Sequence, residues 1–371
     1  MQKKYTSLGL MSGTSGDGVD ASIIHSNGID QSEVIKDKYF EYDSSIYKKI
    51  HFLKDRIFNI QDLSKYSFDL KQLERDITLF HAKITKELNN KDENMIIGFH
   101  GQTIYHNAEE KISKQLGDGY LLNQLTKKRV IFKFRENDIL NGGEGAPLTP
   151  IYHQHLVTQK KIDLPVCVLN IGGISNITII KGPTGSYEIF SKDIGPGNCL
   201  IDTWVRKNSI KKFDENGQLA ARGNINEIIF EQAQELYTNR QNKNQSSFDT
   251  NDFDVSFTRG LSLEDGAATL TSFTARIISE SICTNLKKDI PIKVLVCGGG
   301  RKNNILFNSI KKSLPDKINL SLIDDIQING DFVESQAFAF LAIRSLKKLP
   351  ITFPNTTNCK KPISGGEIIE N

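Results

Sequence analysis

Three short glycine-rich turns carry residue types that can bind phosphate groups. They read SGTSGDG at 12–18, NIGGISN at 170–176 and CGGGRKN at 297–303, and apolar, strand-like residues flank each of them. Glycine admits a positive φ and allows backbone N–H groups to approach a ligand closely. Each turn alone could be a tight hairpin. Three of them in one chain favour a phosphate-binding cleft.

The first turn is the most polar of the three. Its hydroxyl groups can donate to phosphate oxygens, and its carboxylates can attract Mg²⁺ through the water ligands of the metal. We predict that Asp17 is such an outer ligand, and an ordinary Asp-Gly turn is the alternative. No G-x-x-x-x-G-K-[ST] or strand-linked G-x-G-x-x-G motif occurs. The predicted nucleotide-binding residues here are Gly13, Thr14, Ser15, Gly16, Asp17, Gly18, Val19 and Asp20.

The stretch DIGPGN at 193–198 places an aspartate before a tight turn and a helix. Such a turn fixes the carboxylate at the mouth of a cleft and directs N–H groups of the helix start toward the same place. Beside ATP, an aspartate there can deprotonate a hydroxyl or a water molecule. We predict that Asp193 is this base, and a plain helix cap is the alternative. The other predicted nucleotide-binding residues are Gly172, Gly173, Gly195, Gly197, Asn198, Gly298, Gly299 and Gly300.

Two further stretches carry side chains suited to a sugar. In FHGQTIYH at 99–106, His100 and Gln102 follow a buried strand and can bind sugar hydroxyls, although a packed core histidine is the alternative. In FREND at 134–138, Arg135 can hold a carboxylate through two hydrogen bonds, with Asp138 close by. An ordinary surface ion pair is the alternative for this second stretch.

The composition indicates a globular protein of more than one domain. The chain has 371 residues, 38% hydrophobic and 25% charged, and this length favours two domains. A net charge of +3 gives no reason to expect a nucleic-acid partner. The five scattered cysteines, without a C-x-x-C motif, predict a reduced, cytoplasmic protein. No apolar stretch approaches 18 residues, so no membrane partner is expected.

The elements that must position these residues repeat along the chain. Strand–glycine turn–strand units at 8–24 and 164–180 open the two halves, which predicts a duplicated α/β architecture. Apolar residues at helical spacing predict amphipathic helices over 60–90 and 263–286. The glycine-rich stretch at 135–150 is predicted to be an irregular loop near a domain crossover.

Together these stretches resemble the anhydro-N-acetylmuramic acid kinase family, which belongs to the sugar kinase, Hsp70 and actin superfamily. The resemblance runs nearly end to end and rests on GLMSGTSGDGVDAS, HGQTIYH, FREND, GGEGAPLTP, LNIGGISNIT, DIGPGNCLIDTW, LEDGAATLTSFTA, VCGGGRKN and ESQAFAFLAIR. It implies a two-domain α/β fold of the actin-like, ribonuclease H-like ATPase type with an ATP cleft between the domains. The first domain would comprise 1–140 plus 340–371, and the second 141–339. A homodimer is also expected.

The resemblance further implies an ATP- and Mg²⁺-dependent phosphotransferase of peptidoglycan recycling. Such an enzyme opens the ring of 1,6-anhydro-N-acetylmuramic acid with water and phosphorylates O6, giving N-acetylmuramic acid 6-phosphate and ADP. Asp193 would activate the water that attacks the anomeric carbon, and the freed O6 would take the γ-phosphoryl group. The sugar would contact His100, Gln102, Arg135, Asp138 and Glu334.

Two alternatives remain open at this point. One is a kinase for another 1,6-anhydro sugar, such as levoglucosan. The other is a non-catalytic nucleotide- or sugar-binding sensor, against which the presence of Asp193 argues.

The sequence departs from the usual family pattern at several positions. Gly16 stands where a larger apolar residue is common, which predicts a looser phosphate loop. Ile194 replaces a usual threonine beside the proposed base, and Lys133 and Glu144 stand where Asp and Gln are common. The segment QSSFDTNDFD at 245–254 lacks a lysine that is usual near its start. These differences bear on the affinity for the sugar.

Overall fold

The computed structural model describes residues 3–88, 92–240, 248–286 and 290–370. Positions 245–247, where the family's usual lysine is missing, lie outside these residues. The strands, in chain order, are β1 (Tyr5–Ser12), β2 (Gly18–Ser26), β3 (Ser32–Glu41), β4 (Ile96–Asn107), β5 (Ile112–Leu116), β6 (Val130–Phe132), β7 (Val166–Ile171), β8 (Ile174–Ile180), β9 (Ile189–Pro196), β10 (Ile292–Cys297), β11 (Ile318–Leu322) and β12 (Glu367–Ile369).

The helix predicted over 263–286 is confirmed over Leu263–Asn285. The single long helix predicted over 60–90 is wrong in its continuity, because it is broken at Tyr66 into Ile60–Lys65 and Ser67–Glu87. In chain order the helices are α1 (Ser44–Lys54), α2 (Ile60–Lys65), α3 (Ser67–Glu87), α4 (Gly119–Thr126), α5 (Glu136–Leu140), α6 (Pro150–Gln159), α7 (Cys199–Asn208), α8 (Glu227–Arg240), α9 (Leu263–Asn285), α10 (Asn304–Ser313), α11 (Val333–Leu346) and α12 (Pro354–Thr357). Within the described ranges, every helix falls short of the length and apolarity that a membrane span requires.

The chain divides into two compact units. Unit 1 comprises Met1–Leu164, Ile180–Ser191 and Asp331–Asn371, and unit 2 comprises Pro165–Ile179 and Lys192–Gly330. These bounds differ from those of the predicted domains, in part because α6 packs with α11 in unit 1. The stretch predicted to be an irregular loop at 135–150 contains the short helix α5. The functional division into 1–140 plus 340–371 and 141–339 stays a prediction.

Both units contain a sheet with the same strand order. In unit 1 the order is β12-β6-β4-β1-β2-β3, with β5 also pairing with β4. In the other sheet it is β11-β10-β7-β8-β9. The shared part of the order has five strands. The strands β6-β4-β1-β2-β3 of the first sheet correspond to β11-β10-β7-β8-β9 of the second. The predicted duplicated α/β architecture is therefore confirmed.

The central strands are buried on both faces, which explains their continuous apolar sequences. Every residue of β7 is buried, and so are the last six residues of β1. The pairs β1–β4, β7–β10 and β10–β11 are parallel, so the carboxyl ends of these strands lie together at one edge of each sheet. Ligands of open α/β sheets bind at that edge, and the predicted glycine turns lie there.

Two glycines allow α11 to pack directly on the sheet of unit 1. Gly9 of β1 pairs with Gly98 of β4 in the parallel register. A Cβ atom would lie 1.9 Å from the Ser335 carbonyl oxygen at Gly9 and 2.3 Å from the Phe338 carbonyl oxygen at Gly98. The helix is buried nearly all round, and its first turn carries Glu334. The glycine pair therefore fixes the height of that turn above the sheet.

Candidate active site

The first polar turn joins β1 to β2 at the carboxyl end of β1. The Gly16 N–H donates to the Gly13 carbonyl at 3.1 Å, which closes the turn. The Ser15 hydroxyl donates to Asp17 Oδ1 at 2.6 Å, and the Tyr42 N–H donates to the Asp17 carbonyl at 2.9 Å. The turn is thus held by its own hydrogen bonds and by the chain that follows β3.

Gly16 is required by the conformation of this turn. Its φ is +64°, in the left-handed region that other residues enter only with strain. A Cβ atom there would lie 2.7 Å from Ile50 Cγ2. The prediction that Gly16 loosens the loop is therefore wrong, because the glycine permits a tight approach of α1 beneath the turn.

Gln102 holds the turn from the neighbouring strand. It is completely buried, its Nε2 donates to the Gly13 carbonyl at 3.0 Å, and its Oε1 accepts from the Ser12 hydroxyl at 2.6 Å. The Tyr42 hydroxyl donates to Ser12 Oγ at 3.0 Å, and burial raises the pKa of Tyr42. The sugar contact predicted for Gln102 stays a prediction, but in this structure its amide fixes the glycine turn.

His100 and Arg135, both predicted to bind the sugar, are in direct contact. An Arg135 terminal nitrogen donates to His100 Nε2 at 2.9 Å, and His100 Nδ1 lies 2.8 Å from the Gly101 carbonyl. Arginine has only donors, so Nε2 accepts and Nδ1 carries the proton. Burial, followed by the guanidinium of Arg135, holds the pKa of His100 well below its usual range. His100 is therefore a neutral imidazole that orients Arg135.

Asp138 is tied into the same network from below. Its carboxylate accepts from the Gly145 N–H and from the Thr357 hydroxyl, each at 2.8 Å, and it is 1% exposed. The Gly145 carbonyl in turn accepts from Arg135 at 2.7 Å. Asp138 thus supports Arg135 through the loop, and its predicted direct contact with the sugar stays a prediction.

Glu334 lies near this network through its helix. It is half-buried in the first turn of α11. Phe338, one helical turn further on and on the same face, packs against His100 with the two rings tilted and their centroids 4.5 Å apart. The structure therefore brings His100, Arg135, Asp138 and Glu334 to the same end of unit 1.

The second group of turns lies at the carboxyl end of β7 in unit 2. The Gly197 and Cys199 N–H groups donate to the Gly173 carbonyl at 2.9 and 3.1 Å, and the Asn198 N–H donates to the Gly172 carbonyl at 2.8 Å. The prediction that the N–H groups of this helix start are directed toward a ligand is wrong for these three. They connect the bend at 197–198 to the Gly172–Gly173 turn.

The triple-glycine turn joins this group at the end of β10. Gly298 has φ +81°, and a Cβ atom there would lie 2.3 Å from Asn170 Oδ1. At Gly300 it would lie 2.3 Å from Ile171 Cγ2. Both glycines are needed for packing, and the turn therefore lies directly against the end of β7.

An ion pair between buried Arg301 and exposed Asp324 supports the triple-glycine turn. Arg301 is 7% exposed, and its Nε and NH2 groups donate to Asp324 at 2.7 and 3.0 Å. Arg301 also donates to the Gly298 carbonyl at 3.1 Å, and the Gly298 N–H donates to the Gly330 carbonyl at 3.0 Å. A bidentate pair of this kind fixes the guanidinium and with it the turn.

Asp193 lies within β9, which continues through Gly195 to Pro196. The prediction that a turn follows Asp193 at the strand end is therefore wrong, because the chain bends only at 197–198, directly before α7. The side chain is 8% exposed, and its Oδ2 accepts from the Phe248 N–H at 2.9 Å. Gly195 has φ +143°, and a Cβ atom there would lie 2.6 Å from Ile277 Cγ2 and 2.9 Å from the Tyr237 hydroxyl. The carboxylate thus accepts a backbone hydrogen bond, and two residues further on the Cβ position of Gly195 faces an apolar and an aromatic side chain.

Within the part of the chain that the structure describes, one glycine in each of the three turns is required neither by packing nor by backbone conformation. A Cβ atom at Gly13 would meet nothing closer than 4.0 Å, at Gly172 nothing closer than 3.5 Å, and at Gly299 nothing closer than 4.0 Å. None of these three glycines has φ in the left-handed region. The missing side chain therefore leaves open space beside the backbone, which is what close approach of a phosphate group requires.

The residues of the first turn fit a metal that is held mainly by its substrate. In the part of the chain that the structure describes, no group of three His, Cys, Asp or Glu side chains could hold a metal ion. Mg²⁺ usually retains several waters and takes one or two carboxylates together with substrate phosphates. Asp17 and Asp20, both half-buried, offer carboxylates for that outer role.

Several residues that support these turns did not emerge from the sequence. Tyr42 and Lys54 contact the first turn from β3's end and from α1, and Arg301 and Asp324 support the triple-glycine turn. No local signal marks Tyr42, Lys54 or Asp324, because only the tertiary packing brings them to the turns. Arg301 lies within CGGGRKN and was available from that motif.

Comparisons with known proteins identify the family. The family model described as anhydro-N-acetylmuramic acid kinase matches residues 5–371. The anhydro-N-acetylmuramic acid kinase of Pelagibacter ubique (strain HTCC1062) is 55% identical over 375 residues, covering 100% of both chains. That of Zymomonas mobilis (strain ATCC 31821 / ZM4 / CP4) is 36% identical over 370 residues, covering 97% of this chain and 98% of the relative. These matches confirm the resemblance, and the chain belongs to the anhydro-N-acetylmuramic acid kinase family.

Proposed function

We propose that this protein uses ATP and water to open the ring of 1,6-anhydro-N-acetylmuramic acid and phosphorylates O6. The products are N-acetylmuramic acid 6-phosphate and ADP, within peptidoglycan recycling. Membership of the family supports the activity and the substrate, because relatives that match over the full length carry this name. The geometry of the glycine turns within each unit supports the use of a nucleotide.

The observation that carries the nucleotide part is the set of open glycines. Gly13, Gly172 and Gly299 need to be glycine neither for packing nor for backbone conformation. Their turns lie at the carboxyl ends of sheet strands, where open α/β folds bind ligands. We assign the phosphate contacts to these three turns, and the remaining predicted nucleotide-binding residues to the support of those contacts.

Asp193 is the proposed general base. Its Oδ2 is oriented by the Phe248 N–H, and its position within β9 holds the carboxylate in place. The carboxylate takes a proton from water as that water attacks the anomeric carbon. The bond from the anomeric carbon to O6 breaks, and O6 takes the γ-phosphoryl group as ADP leaves. A positioned base of this kind contributes about 10²- to 10⁴-fold to a rate.

We place recognition of the sugar in unit 1. Arg135 is held by neutral His100 and by the Gly145 carbonyl, so its guanidinium is preoriented for an anionic group. A carboxylate such as the lactyl group of the muramic sugar suits that guanidinium. Levoglucosan has no carboxylate and would leave Arg135 without this contact, which favours the muramic sugar.

The remaining proposals concern the metal, the location and the assembly. We propose that Mg²⁺ accompanies ATP. Asp17 would bind water ligands of the metal and so hold the cation beside the first turn. We also propose a cytoplasmic location and a homodimer, as the resemblance to the family implies.

The test is a coupled assay of ADP release with 1,6-anhydro-N-acetylmuramic acid, with Asp193→Asn as the comparison. We expect the wild-type protein to release one ADP per sugar phosphorylated, and Asp193→Asn to lose at least about 10²-fold in kcat while still binding ATP. A panel with levoglucosan is the second arm. If only levoglucosan is turned over, the proposed muramic substrate is wrong. If the protein binds ATP but turns over neither sugar, a non-catalytic sensor is favoured.

A further inference from the structure

Lys54 lies against the first glycine turn, although it is 40 residues away in sequence. Its ammonium nitrogen lies 2.5 Å from the Thr14 carbonyl oxygen, to which it donates. It is the last residue of α1, and its side chain is half-buried. The Lys54 ammonium therefore contacts the backbone of the turn that we propose to bind the phosphates.

The packing of α1 keeps this contact in place. Ile50 is completely buried, and its Cγ2 would be 2.7 Å from a Cβ atom at Gly16. His51, on the same helix end, has its Nε2 3.8 Å from that position. The end of α1 is thus seated beneath the turn. The position of Lys54 follows from the fold, since its helix cannot move away without breaking these contacts.

The charge of the turn favours a nearby cation. Residues 12–20 contain Asp17 and Asp20 and no lysine, arginine or histidine. A nucleotide's phosphates brought to these backbone amides would meet two carboxylates. Opposite charges attract more strongly where they are partly shielded from water, so an ammonium beside the turn offsets the repulsion. An ammonium also has three donor hydrogens and can serve a phosphate oxygen as a point charge.

We propose that Lys54 is a phosphate-binding residue of the first glycine turn, which contacts the phosphates of ATP as it holds the Thr14 carbonyl. This proposal rests on the proposed function, since it names a residue of the same nucleotide site. The competing explanation is a purely structural tether from α1 to Thr14.

The substitution Lys54→Gln separates the two explanations. Glutamine retains an N–H donor for the Thr14 carbonyl and removes the charge. Lys48→Gln is the matched control, because it removes the same charge from an exposed position of the same helix. Binding of ATP, ADP and adenosine to the full chain is measured by titration calorimetry, and circular dichroism checks that each variant is folded.

We expect Lys54→Gln to weaken ATP and ADP at least about tenfold and to leave adenosine unchanged, since adenosine has no phosphate. Lys54→Arg should retain most of the affinity, and Lys48→Gln all of it. ATP affinity equal to wild type in Lys54→Gln would overturn the proposal, and so would an equal loss for adenosine. If the wild-type protein itself does not bind ATP, the proposed function fails first, whatever the variants show.

Discussion

At the scale of single residues, the glycines of the three turns divide into two kinds. Gly16, Gly298 and Gly300 are required by backbone conformation or by close packing, whereas Gly13 and Gly299 are not. A sequence motif cannot separate these two roles, because the residue is glycine in both cases. The distinction depends on which atoms lie where the Cβ would be.

Gly16→Ala tests the first kind. Alanine at φ +64° is strained by about 1–2 kcal/mol, and its Cβ would also meet Ile50. Gly185→Ala is the matched control, because Gly185 has φ +93° in unit 1 with nothing within 4 Å of its Cβ position. We expect urea unfolding to show a larger loss of stability for Gly16→Ala than for Gly185→Ala. Equal losses would mean that α1 does not pack tightly against the turn.

At the scale of elements, β4 positions the first turn through Gln102. The Gln102 amide is fully buried between Ser12 and the Gly13 carbonyl, and removing it leaves buried polar groups without their partner. Replacing Gln102 should therefore change the KM for ATP much more than the KM for the sugar.

Gln102→Leu tests this role through steady-state kinetics. We expect the KM for ATP to rise at least about fivefold while the KM for the sugar changes by less than about twofold, together with a stability loss of about 1–3 kcal/mol. Tyr42→Phe, which removes only the hydrogen bond to Ser12, should shift the same constant in the same direction by less. A rise confined to the KM for the sugar would instead support the sugar contact predicted from sequence.

The sequence was sufficient for the elements that carry strong local patterns. The strand–turn–strand units and the helix at 263–286 were readable from periodicity and glycine spacing. The break at Tyr66 within 60–90 and the continuation of β9 past Asp193 to Pro196 were not. The sequence also did not indicate which atoms accept hydrogen bonds from the N–H groups at 197–199. These acceptors lie 24 to 26 residues earlier, in the Gly172–Gly173 turn. Contacts across the sheet depend on register, which local patterns do not specify.

At the scale of the whole molecule, buried histidines make stability dependent on pH. Burial lowers the pKa of His81 and His155 to about 4 and that of His106 and His153 to about 3. These groups, all in unit 1, stay neutral when folded and bind a proton near pH 6.5 when unfolded. The stability they contribute is thus present above pH 6.5 and is lost as the pH falls toward their folded pKa values.

We expect the urea midpoint to fall clearly between pH 7.5 and pH 5.5. Each such histidine adds a slope of up to about 1.4 kcal/mol per pH unit over this window. His81→Phe removes one of these groups from a site packed against Phe99 and should make the pH dependence shallower. Identical urea midpoints at the two pH values would show that these side chains can be protonated without unfolding.

The most direct measurement compares ATP binding with stability when the open glycines of both units are replaced. Gly13→Ala in unit 1 and Gly172→Ala in unit 2 add a methyl group where the protein has room for it. Gly98→Ala, whose Cβ would lie 2.3 Å from the Phe338 carbonyl, is the packing control.

We predict that both open-glycine variants keep their unfolding free energy within about 1 kcal/mol of wild type. We also predict that both bind ATP at least about tenfold more weakly, a loss of about 1.4 kcal/mol, while Gly98→Ala is strongly destabilised. Wild-type ATP affinity in both Gly13→Ala and Gly172→Ala would contradict the assignment of these turns to the nucleotide.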